Sequence, residues 1–330
     1  MMAVSAGGAS EVRLPGKVPN ASLVIPSRGR STLLRATVES ILQGDQVPAE
    51  LIVVDQSDTP DPALSTLTTE RACRFRYLWT PIAGVSRARN TGIAAAEHEI
   101  LVFTDDDVAV TPSWFGELVR ALLRAGPRAA VSGQVLPGPA QTRGGFVPST
   151  KVDKNAAVYE GRVGKDVLFS NNMAMFRSAI DEVGNFDERL GPGAPFLAAE
   201  DNDLGFRLLE AGYRIFYVPE AVLYHLAWRT ERDYLPLRWS YGYGQGAYYA
   251  KHLSLTDRYM LWRMVRHIRG HAREFAREAL HRRRFASDHA VYVLGMVSGA
   301  TKWVLTQLMV RRFFDGTRRD ATAPAHRQPS

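Results

Sequence analysis

Three adjacent carboxylates, Asp105, Asp106 and Asp107, follow the apolar run at residues 100–103. Such a run predicts a short buried strand, so the carboxylates stand where that strand ends. Adjacent carboxylates repel one another unless a cation neutralises them. Carboxylate oxygens suit a hard divalent ion, such as Mg²⁺ or Mn²⁺, which keeps substrate phosphates among its ligands. Strand-like alternation turns Asp105 and Asp107 to one side and Asp106 to the other. A solvated acidic turn before the next helix is the alternative interpretation, and both stay open here.

A second acidic group, Glu200, Asp201 and Asp203, begins a predicted helix. Acidic residues in a first helical turn interact favourably with the helix dipole, which is the simplest explanation for this group alone. His225 follows a predicted strand at residues 221–224. A single histidine at a strand end is more often structural than a metal ligand.

Alternating strands and helices must position these residues. We predict strands over residues 21–26, 51–55, 75–79, 100–103, 129–136, 213–218 and 221–224. Helices are predicted over residues 31–43, 61–71 and 111–124, and residues 84–90 lead into a further helix that ends near residue 96. Near-continuous apolar strands that alternate with helices indicate a parallel sheet covered on both faces. Ligands bind beyond the carboxyl ends of such strands. Pro26, Asp55 and the three aspartates all fall at those ends, so we expect one site there.

The spacing of the glycines excludes two common nucleotide-binding motifs. No Gly-x-Gly-x-x-Gly follows the first predicted strand, and no Gly-Lys-Ser/Thr phosphate loop is present. The site is therefore predicted to hold a nucleotide through a metal ion and side chains.

Composition places the chain among soluble globular proteins. Its residues are 45% hydrophobic and 23% charged, which is typical of that class. A length of 330 residues is enough for one large or two modest domains. A single cysteine, Cys73, excludes a disulfide framework and fits a reducing cytoplasm. The net charge is +7, with arginine and histidine concentrated between Arg258 and Arg284. Such a segment suggests anionic lipid, phosphate or nucleic-acid partners.

Taken in order, these residues resemble the family 2 inverting glycosyltransferases of the GT-A fold. The resemblance extends over about residues 21–225 and depends on short segments in the right order: Val24-Ile25-Pro26 with Arg30, Val53-Val54-Asp55, residues 87–92, Asp105-Asp106-Asp107, residues 184–188, Glu200-Asp201-Asn202-Asp203-Leu204 with Arg207, and residues 211–214 leading to His225. It implies an α/β fold: a GT-A (Rossmann-like), mostly parallel sheet with helices on both faces, plus a C-terminal helical region.

The resemblance implies a metal-dependent reaction. In this family an acceptor hydroxyl attacks the anomeric carbon of a nucleotide-sugar, and the nucleoside diphosphate leaves. The family's DXD motif matches the three aspartates, so Asp107 is expected to bind Mn²⁺ or Mg²⁺. His225 matches the family's late histidine, which can complete the metal shell. Asp201 matches the catalytic base, and Glu200 is the second candidate for a catalytic role.

The donor nucleotide has its own set of expected contacts, also implied by the resemblance. They are Pro26, Arg30, Asp55, Arg89, Asp105 and Asp106. Asp55 matches the carboxylate that accepts a hydrogen bond from the base. Gln56-Ser57-Asp58 replaces the commoner Asp-Gly-Ser after it, which leaves the partner of the base open. Arg89 has a structural alternative, in which it ties its helix to the sheet.

The resemblance to family 2 glycosyltransferases weakens in the last third of the chain. A basic amphipathic helix near residues 257–284 is suited to an anionic membrane surface. The apolar run at residues 290–310 is interrupted by Lys302 and Gln307, and its Gly295 and Gly299 have the spacing of close helix contacts. We expect a peripheral or partly inserted association through residues 257–312 with the cytoplasmic, inner face of the cell membrane, in preference to a membrane span. A helix that mediates an oligomer is the further option.

The predicted organisation has four parts. They are a disordered lead-in at residues 1–20, a GT-A glycosyltransferase domain at 21–228, a helical region at 229–316 and a disordered tail at 317–330. The expected donor is a UDP-, GDP- or dTDP-sugar, and the acceptor is a glycan, a lipid-linked or a small molecule. Two alternatives remain: a sugar-nucleotide nucleotidyltransferase and a non-catalytic basic binding module. Nucleic acid is not an expected partner, because clustered carboxylates repel phosphate unless metal is present.

Overall fold

The structure is a computed structural model that describes residues 18–69, 71–139, 145–280 and 286–321. Most of the predicted lead-in at residues 1–20 and of the predicted tail at residues 317–330 lies outside these ranges. The described strands are β1 Ala21–Ser27, β2 Glu50–Asp55, β3 Arg74–Trp79, β4 Ile100–Thr104, β5 Val108–Val110, β6 Ala129–Pro137, β7 Ala157–Tyr159, β8 Asn172–Phe176 and β9 Arg214–His225. The described helices are α1 Ser31–Leu42, α2 Pro62–Ser65, α3 Val85–Ala95, α4 Trp114–Ala125, α5 Arg177–Val183, α6 Glu200–Glu210, α7 Glu231–Lys251, α8 Tyr259–Leu280 and α9 Ala286–Ala321.

The predicted α/β class is confirmed, and the sheet is mixed. Its strands follow the order β3-β2-β1-β4-β8-β6-β9-β5, with β7 also paired to β9. Strands β3, β2, β1 and β4 are parallel, whereas β8 runs antiparallel to both β4 and β6. A parallel pairing needs a crossover connection. The segment between β6 and β8 contains only the short strand β7, and no crossover helix, among its described elements. β8 therefore runs in the opposite direction to β6.

Burial on both faces explains the apolar strands. Every residue of β1, β2 and β4 is buried. Successive side chains of a strand point to opposite faces, so Leu23 packs with α1 and α4 on one face. Val24 packs with α3 and α6 on the other face. The two cores hold the carboxyl ends of the parallel strands in fixed positions.

Several predicted elements differ in extent. The helix predicted at residues 61–71 is only the single turn α2, where Pro62 follows the capping carboxylate of Asp61. The two strands predicted at residues 213–218 and 221–224 form one strand, β9, with an irregularity in its pairing to β6. The strands β5, β7 and β8 and the helix α5 have no counterpart among the predicted elements, whereas α7 lies within the helical region predicted at residues 229–316.

Glycines bring the backbones of α7 and α9 into contact. A Cβ on Gly246 of α7 would meet the carbonyl oxygen of Met296, and a Cβ on Gly299 of α9 would meet that of Tyr243. The close helix contact predicted from Gly295 and Gly299 is therefore confirmed. None of the described helices has an apolar stretch long enough to cross a membrane.

Candidate functional site

A cavity of about 720 Å³ opens at the carboxyl ends of β1 and β4. Nine of the predicted site residues line it: Pro26, Arg30, Arg89, Asp105, Asp106, Asp107, Glu200, Asp201 and His225. The aspartates at residues 105–107 and the acidic residues Glu200 and Asp201 are far apart in the chain, and they meet at one edge of the sheet.

Asp107 and His225 are brought together by the pairing of β5 with β9. Val108 is opposite His225 in the register, which places Nε2 of His225 at 3.1 Å from Oδ1 of Asp107. Arg30 donates to the other oxygen of Asp107 at 2.5 Å. Burial acts to raise the pKa of Asp107, but the hydrogen bond and charge of His225, with the charge of Arg30, hold it below its usual value. Burial acts to lower the pKa of His225, yet Asp107 raises it overall.

These side chains fit a divalent cation. Ligand atoms of Asp105, Asp107 and His225 lie within 4.8 Å of one another. Nδ1 of His225 lies 2.9 Å from the carbonyl oxygen of Pro148, so Nδ1–H can donate there and leave the lone pair of Nε2 facing Asp107. Metal-binding histidines are commonly oriented in this way. Carboxylate oxygens with one imidazole nitrogen suit Mn²⁺.

Asp106 points away from this group. It accepts hydrogen bonds from Ser27 Oγ at 2.7 Å and from Arg30 at 3.1 Å. Burial, followed by the charge of Asp107, raises the pKa of Asp106 to about 6. The alternation predicted for the three aspartates is therefore confirmed, because Asp105 and Asp107 share one ligand group without Asp106.

Arg89 connects the two acidic groups. It is only 1% exposed, and it donates to Asp105 at 2.9 Å and to Glu200 at 3.1 Å. This arrangement agrees with the structural alternative for Arg89, although the residue also lines the cavity.

Asp201 stands in the first turn of α6, after Ala199 in a left-handed conformation with φ of 74°. Its Oδ1 accepts a hydrogen bond from the backbone N–H of Asn202 at 2.8 Å. Burial and then the charge of Glu200 raise the pKa of Asp201 to about 7, against the opposing effect of Arg89. A carboxyl with this pKa exchanges its proton near neutral pH.

Asp203 has a different environment from its neighbour. It is fully buried, and it pairs with Arg207 at 3.0 Å, Lys251 at 2.6 Å and His252 at 2.7 Å. These contacts join α6 to the end of α7, so Asp203 is a structural residue.

Asp55 is the one predicted site residue that does not line the cavity. It is 2% exposed, and it accepts hydrogen bonds from the hydroxyl of Tyr77 at 2.5 Å and from the backbone N–H of Ser57 at 2.9 Å. Gln56 lines the cavity in its place and holds the backbone of Gly84 through both ends of its amide, at 3.0 Å each.

The sequence did not single out part of the cavity wall. Asp166 and Gln245 line it, and Gln245 donates to Asp166 at 3.0 Å and accepts from Asn202 at 2.8 Å. This chain of hydrogen bonds connects α7 to the residue beside Asp201.

Comparison with known proteins gives a consistent result. Residues 22–184 match the family described as Glycosyl transferase family 2. The pre-mycofactocin glycosyltransferase of Mycobacterium tuberculosis is 30% identical over 229 residues, which cover 67% of this chain and 46% of that protein. The O-antigen chain rhamnosyltransferase RfbN of Salmonella typhimurium is 25% identical over 64% of this chain and 68% of its own length. The chain thus spans about half the length of the mycobacterial relative.

A solved structure has a similar fold. The mannosyltransferase PcManGT from Pyrobaculum calidifontis, in complex with GDP-Man and Mn²⁺, superposes with a TM-score of 0.58 at 16% identity. The similarity covers 86% of this chain and 88% of that one. The fold is therefore GT-A-like, with additional C-terminal helices.

Proposed function

The chain belongs to glycosyl transferase family 2 through its residues 22–184, and from this premise we propose that it is a metal-dependent, inverting glycosyltransferase. It would move a sugar from a nucleotide-diphosphate sugar to the hydroxyl of a glycan, a lipid-linked or a small-molecule acceptor. One observation carries the proposal: Asp201, a carboxyl with a pKa of about 7, lines the same cavity as Asp107 and His225.

In this proposal Asp107 and His225, with Asp105 beside them, hold Mn²⁺ or Mg²⁺. A bound cation would neutralise the diphosphate as it leaves. The support is the closeness of the three ligand atoms, within 4.8 Å, together with the orientation of His225 by Pro148. The similar mannosyltransferase from Pyrobaculum calidifontis is bound to Mn²⁺.

Asp201 acts in this proposal as the catalytic base. Its carboxylate takes the proton of the acceptor hydroxyl as that hydroxyl attacks the anomeric carbon. Attack from the face opposite the diphosphate inverts that carbon. Glu200 takes no proton in this scheme. It orients the site through Arg89, to which it is bonded at 3.1 Å.

The donor nucleotide is proposed to lie along the wall formed by Pro26, Arg30, Arg89, Asp105 and Asp106. Asp55 stays a predicted contact of the base, although Tyr77 and Ser57 occupy it here. UDP-, GDP- and dTDP-sugars are all candidates. The Pyrobaculum mannosyltransferase is bound to GDP-Man.

Two other functions are less well supported. A sugar-nucleotide nucleotidyltransferase needs a glycine-rich phosphate loop with a lysine, and residues 27–31 contain the single glycine Gly29 and no lysine. A basic binding module would give no role to the carboxylates that line the cavity. Release of a nucleoside diphosphate, in contrast to pyrophosphate, separates the transferase from the nucleotidyltransferase.

Thermal unfolding with UDP-, GDP- and dTDP-sugars, each with and without Mn²⁺, tests the proposal. A donor at about 100 times its Kd should stabilise the fold by about 2.7 kcal/mol. We expect Mn²⁺ to increase this stabilisation in the wild type and in Asp58→Asn, whose carboxylate is 97% exposed. We expect no such increase in Asp107→Asn. Equal responses of the two variants would contradict the assigned metal site.

We also propose that the chain associates with the inner, cytoplasmic face of the cell membrane through residues 257–312. Leu261, Trp262 and Phe275 of α8 are exposed, and Arg266 and Arg269 are exposed on the same helix. Exposed apolar and basic groups together favour anionic lipid surfaces. Binding to vesicles that contain phosphatidylserine, with weaker binding to neutral vesicles and in high salt, is the expected result. Equal binding to both would contradict it.

A further inference from the structure

A second group of ligating side chains lies outside the cavity, between α8 and α9. Glu278 comes from α8, and Asp288 and His289 come from α9. One ligand atom from each of the three lies within 4.8 Å of the other two. Oε2 of Glu278 and Oδ1 of Asp288 are each 3.6 Å from Nε2 of His289.

The two carboxylate oxygens that face His289 have no hydrogen-bond partner among the described residues. Asp288 is only 4% exposed. Its other oxygen, Oδ2, accepts a hydrogen bond from the hydroxyl of Tyr234 at 2.9 Å and forms an ion pair with Nε of Arg238 at 3.2 Å. Buried polar atoms are normally satisfied, and a buried charged oxygen without a partner is costly. Oδ1 of Asp288 therefore points to a missing positive ligand.

The separations suit a metal ion better than direct hydrogen bonds. At 3.6 Å an N–H···O interaction is too long to be a hydrogen bond, so a protonated His289 does not satisfy the two oxygens. A tetrahedral Zn²⁺ has N and O ligands at about 2.0–2.2 Å, which places ligand atoms about 3.3–3.6 Å apart. The two separations of 3.6 Å from Nε2 of His289 lie at the upper end of this range.

His289 is also oriented as a metal ligand. Its Nδ1 lies 2.7 Å from Nδ1 of His271. A metal on Nε2 requires the proton to be on Nδ1, and His271 is placed to accept it. Metal-bound histidines usually donate their other N–H to a hydrogen-bond acceptor, a place that His271 takes here. Imidazole nitrogen and carboxylate oxygen are both ordinary ligands of Zn²⁺ in proteins.

We propose that Glu278, Asp288 and His289 form a Zn²⁺ site that joins α8 to α9, with a water molecule as the fourth ligand. The site lies between the two helices and outside the cavity. Through Asp288 it connects to Arg238 of α7, which lines the cavity. The proposal does not depend on the chain being a glycosyltransferase, because it is tested by zinc content and not by activity.

The test uses the full chain carrying Asp107→Asn, so that the cavity's own ligand group is disabled. Equilibrium dialysis against free Zn²⁺, followed by elemental analysis, should find about one Zn²⁺ per chain. Adding Glu278→Gln or His289→Gln should weaken this binding by about tenfold or more. Glu274→Gln is the matched control, because Glu274 lies one turn earlier on α8 and pairs with Arg277 instead. It should retain the zinc.

Melting temperatures provide a second test of zinc binding. Each variant is first shown to be folded by its helical content. Zn²⁺ should raise the melting temperature of the Asp107→Asn parent and of the Glu274→Gln control, and not that of the Glu278→Gln or His289→Gln chains. Absence of zinc from the parent would overturn the proposal. So would retention of zinc in both ligand variants, or equal loss in the control. The two ligand variants lie on different helices, so one that fails to fold leaves the other to decide.

Discussion

The acid limb of the pH–rate profile should report the proton on Asp201. The pKa of this carboxyl is raised to about 7, first by burial and then by the charge of Glu200. If Asp201 accepts the hydroxyl proton, kcat/KM should fall as the pH drops below about 7, by about tenfold for each pH unit. At about pH 5 it should be about 100-fold below its plateau.

Glu200→Gln perturbs this pKa in a known direction. It removes the like charge that raises the pKa of Asp201, and it also frees Arg89 from its 3.1 Å partner. Both changes favour the ionised form of Asp201. A decrease of about one pKa unit, equivalent to about 1.4 kcal/mol, is expected. Relative to its own plateau, kcat/KM of the variant at about pH 5 should then be about tenfold higher than that of the wild type.

Release of nucleoside diphosphate from the donor identified by thermal unfolding, with Mn²⁺ present, provides the assay. Asp201→Asn should lower the plateau by about 10²- to 10⁴-fold and remove the acid limb. Glu210→Gln is the control, because Glu210 ends the same helix and pairs with Arg162 at 2.8 Å. Its acid limb should stay in place. A wild-type limb near pH 4, or a limb unmoved by Glu200→Gln, would refute the assignment of Asp201 as the base.

Four further predictions concern stability and reactivity. Gly299→Ala should lower the melting temperature, at a cost of about 1–3 kcal/mol, because its Cβ would collide with the carbonyl oxygen of Tyr243. Gly270→Ala on α8, where nothing lies within 4 Å, should instead stabilise by about 0.5–1 kcal/mol, as calorimetry can measure. The pKa of Asp106 is raised to about 6, so its protonated form favours folding and wild-type stability falls as the pH rises from about 4 through 6. Asp106→Asn should therefore gain up to about 3 kcal/mol relative to the wild type between about pH 4 and pH 8 in urea unfolding. Burial raises the pKa of the Cys73 thiol to about 11, so iodoacetamide at about pH 8 should react slowly with the native chain and quickly in urea.

The parallel half of the sheet was predictable because its strands are buried on both faces. Strands β1, β2 and β4 are continuous apolar runs that end at polar residues, and burial leaves few other places for them. The antiparallel strand β8 was not predictable. Its direction depends on the route of the chain from β6, which no local pattern encodes. Which helix packs closely on α9 was not predictable, because the contact of α9 with α7 depends on glycines that match only in the tertiary structure.

The candidate site also has a part that the sequence predicted and a part that it could not predict. Carboxylates at strand ends could be predicted to meet, because parallel strands end at one edge. His225 needed a resemblance to a known family as well, since its place opposite Val108 depends on the pairing of β5, an unpredicted strand. The position of Asp55 behind the cavity wall depends on Tyr77, which lies on the neighbouring strand β3 and bonds to its carboxylate. Such a side-chain contact between strands is not encoded in the spacing of either.

Through its charge, Arg89 reduces the repulsion among three of the carboxylates that line the cavity, those of Asp105, Glu200 and Asp201. Its guanidinium donates from one nitrogen to Asp105 and from another to Glu200, and it stays charged at any working pH. A lysine has one point charge and could not hold both partners in this geometry. Because the hydrogen bonds of Arg89 go to Asp105 and Glu200, Asp201 receives only a longer-range attraction from the same charge. That attraction does not offset its burial and the charge of Glu200, so its pKa remains near 7. The basicity of Asp201 therefore depends on where its neighbour Arg89 donates.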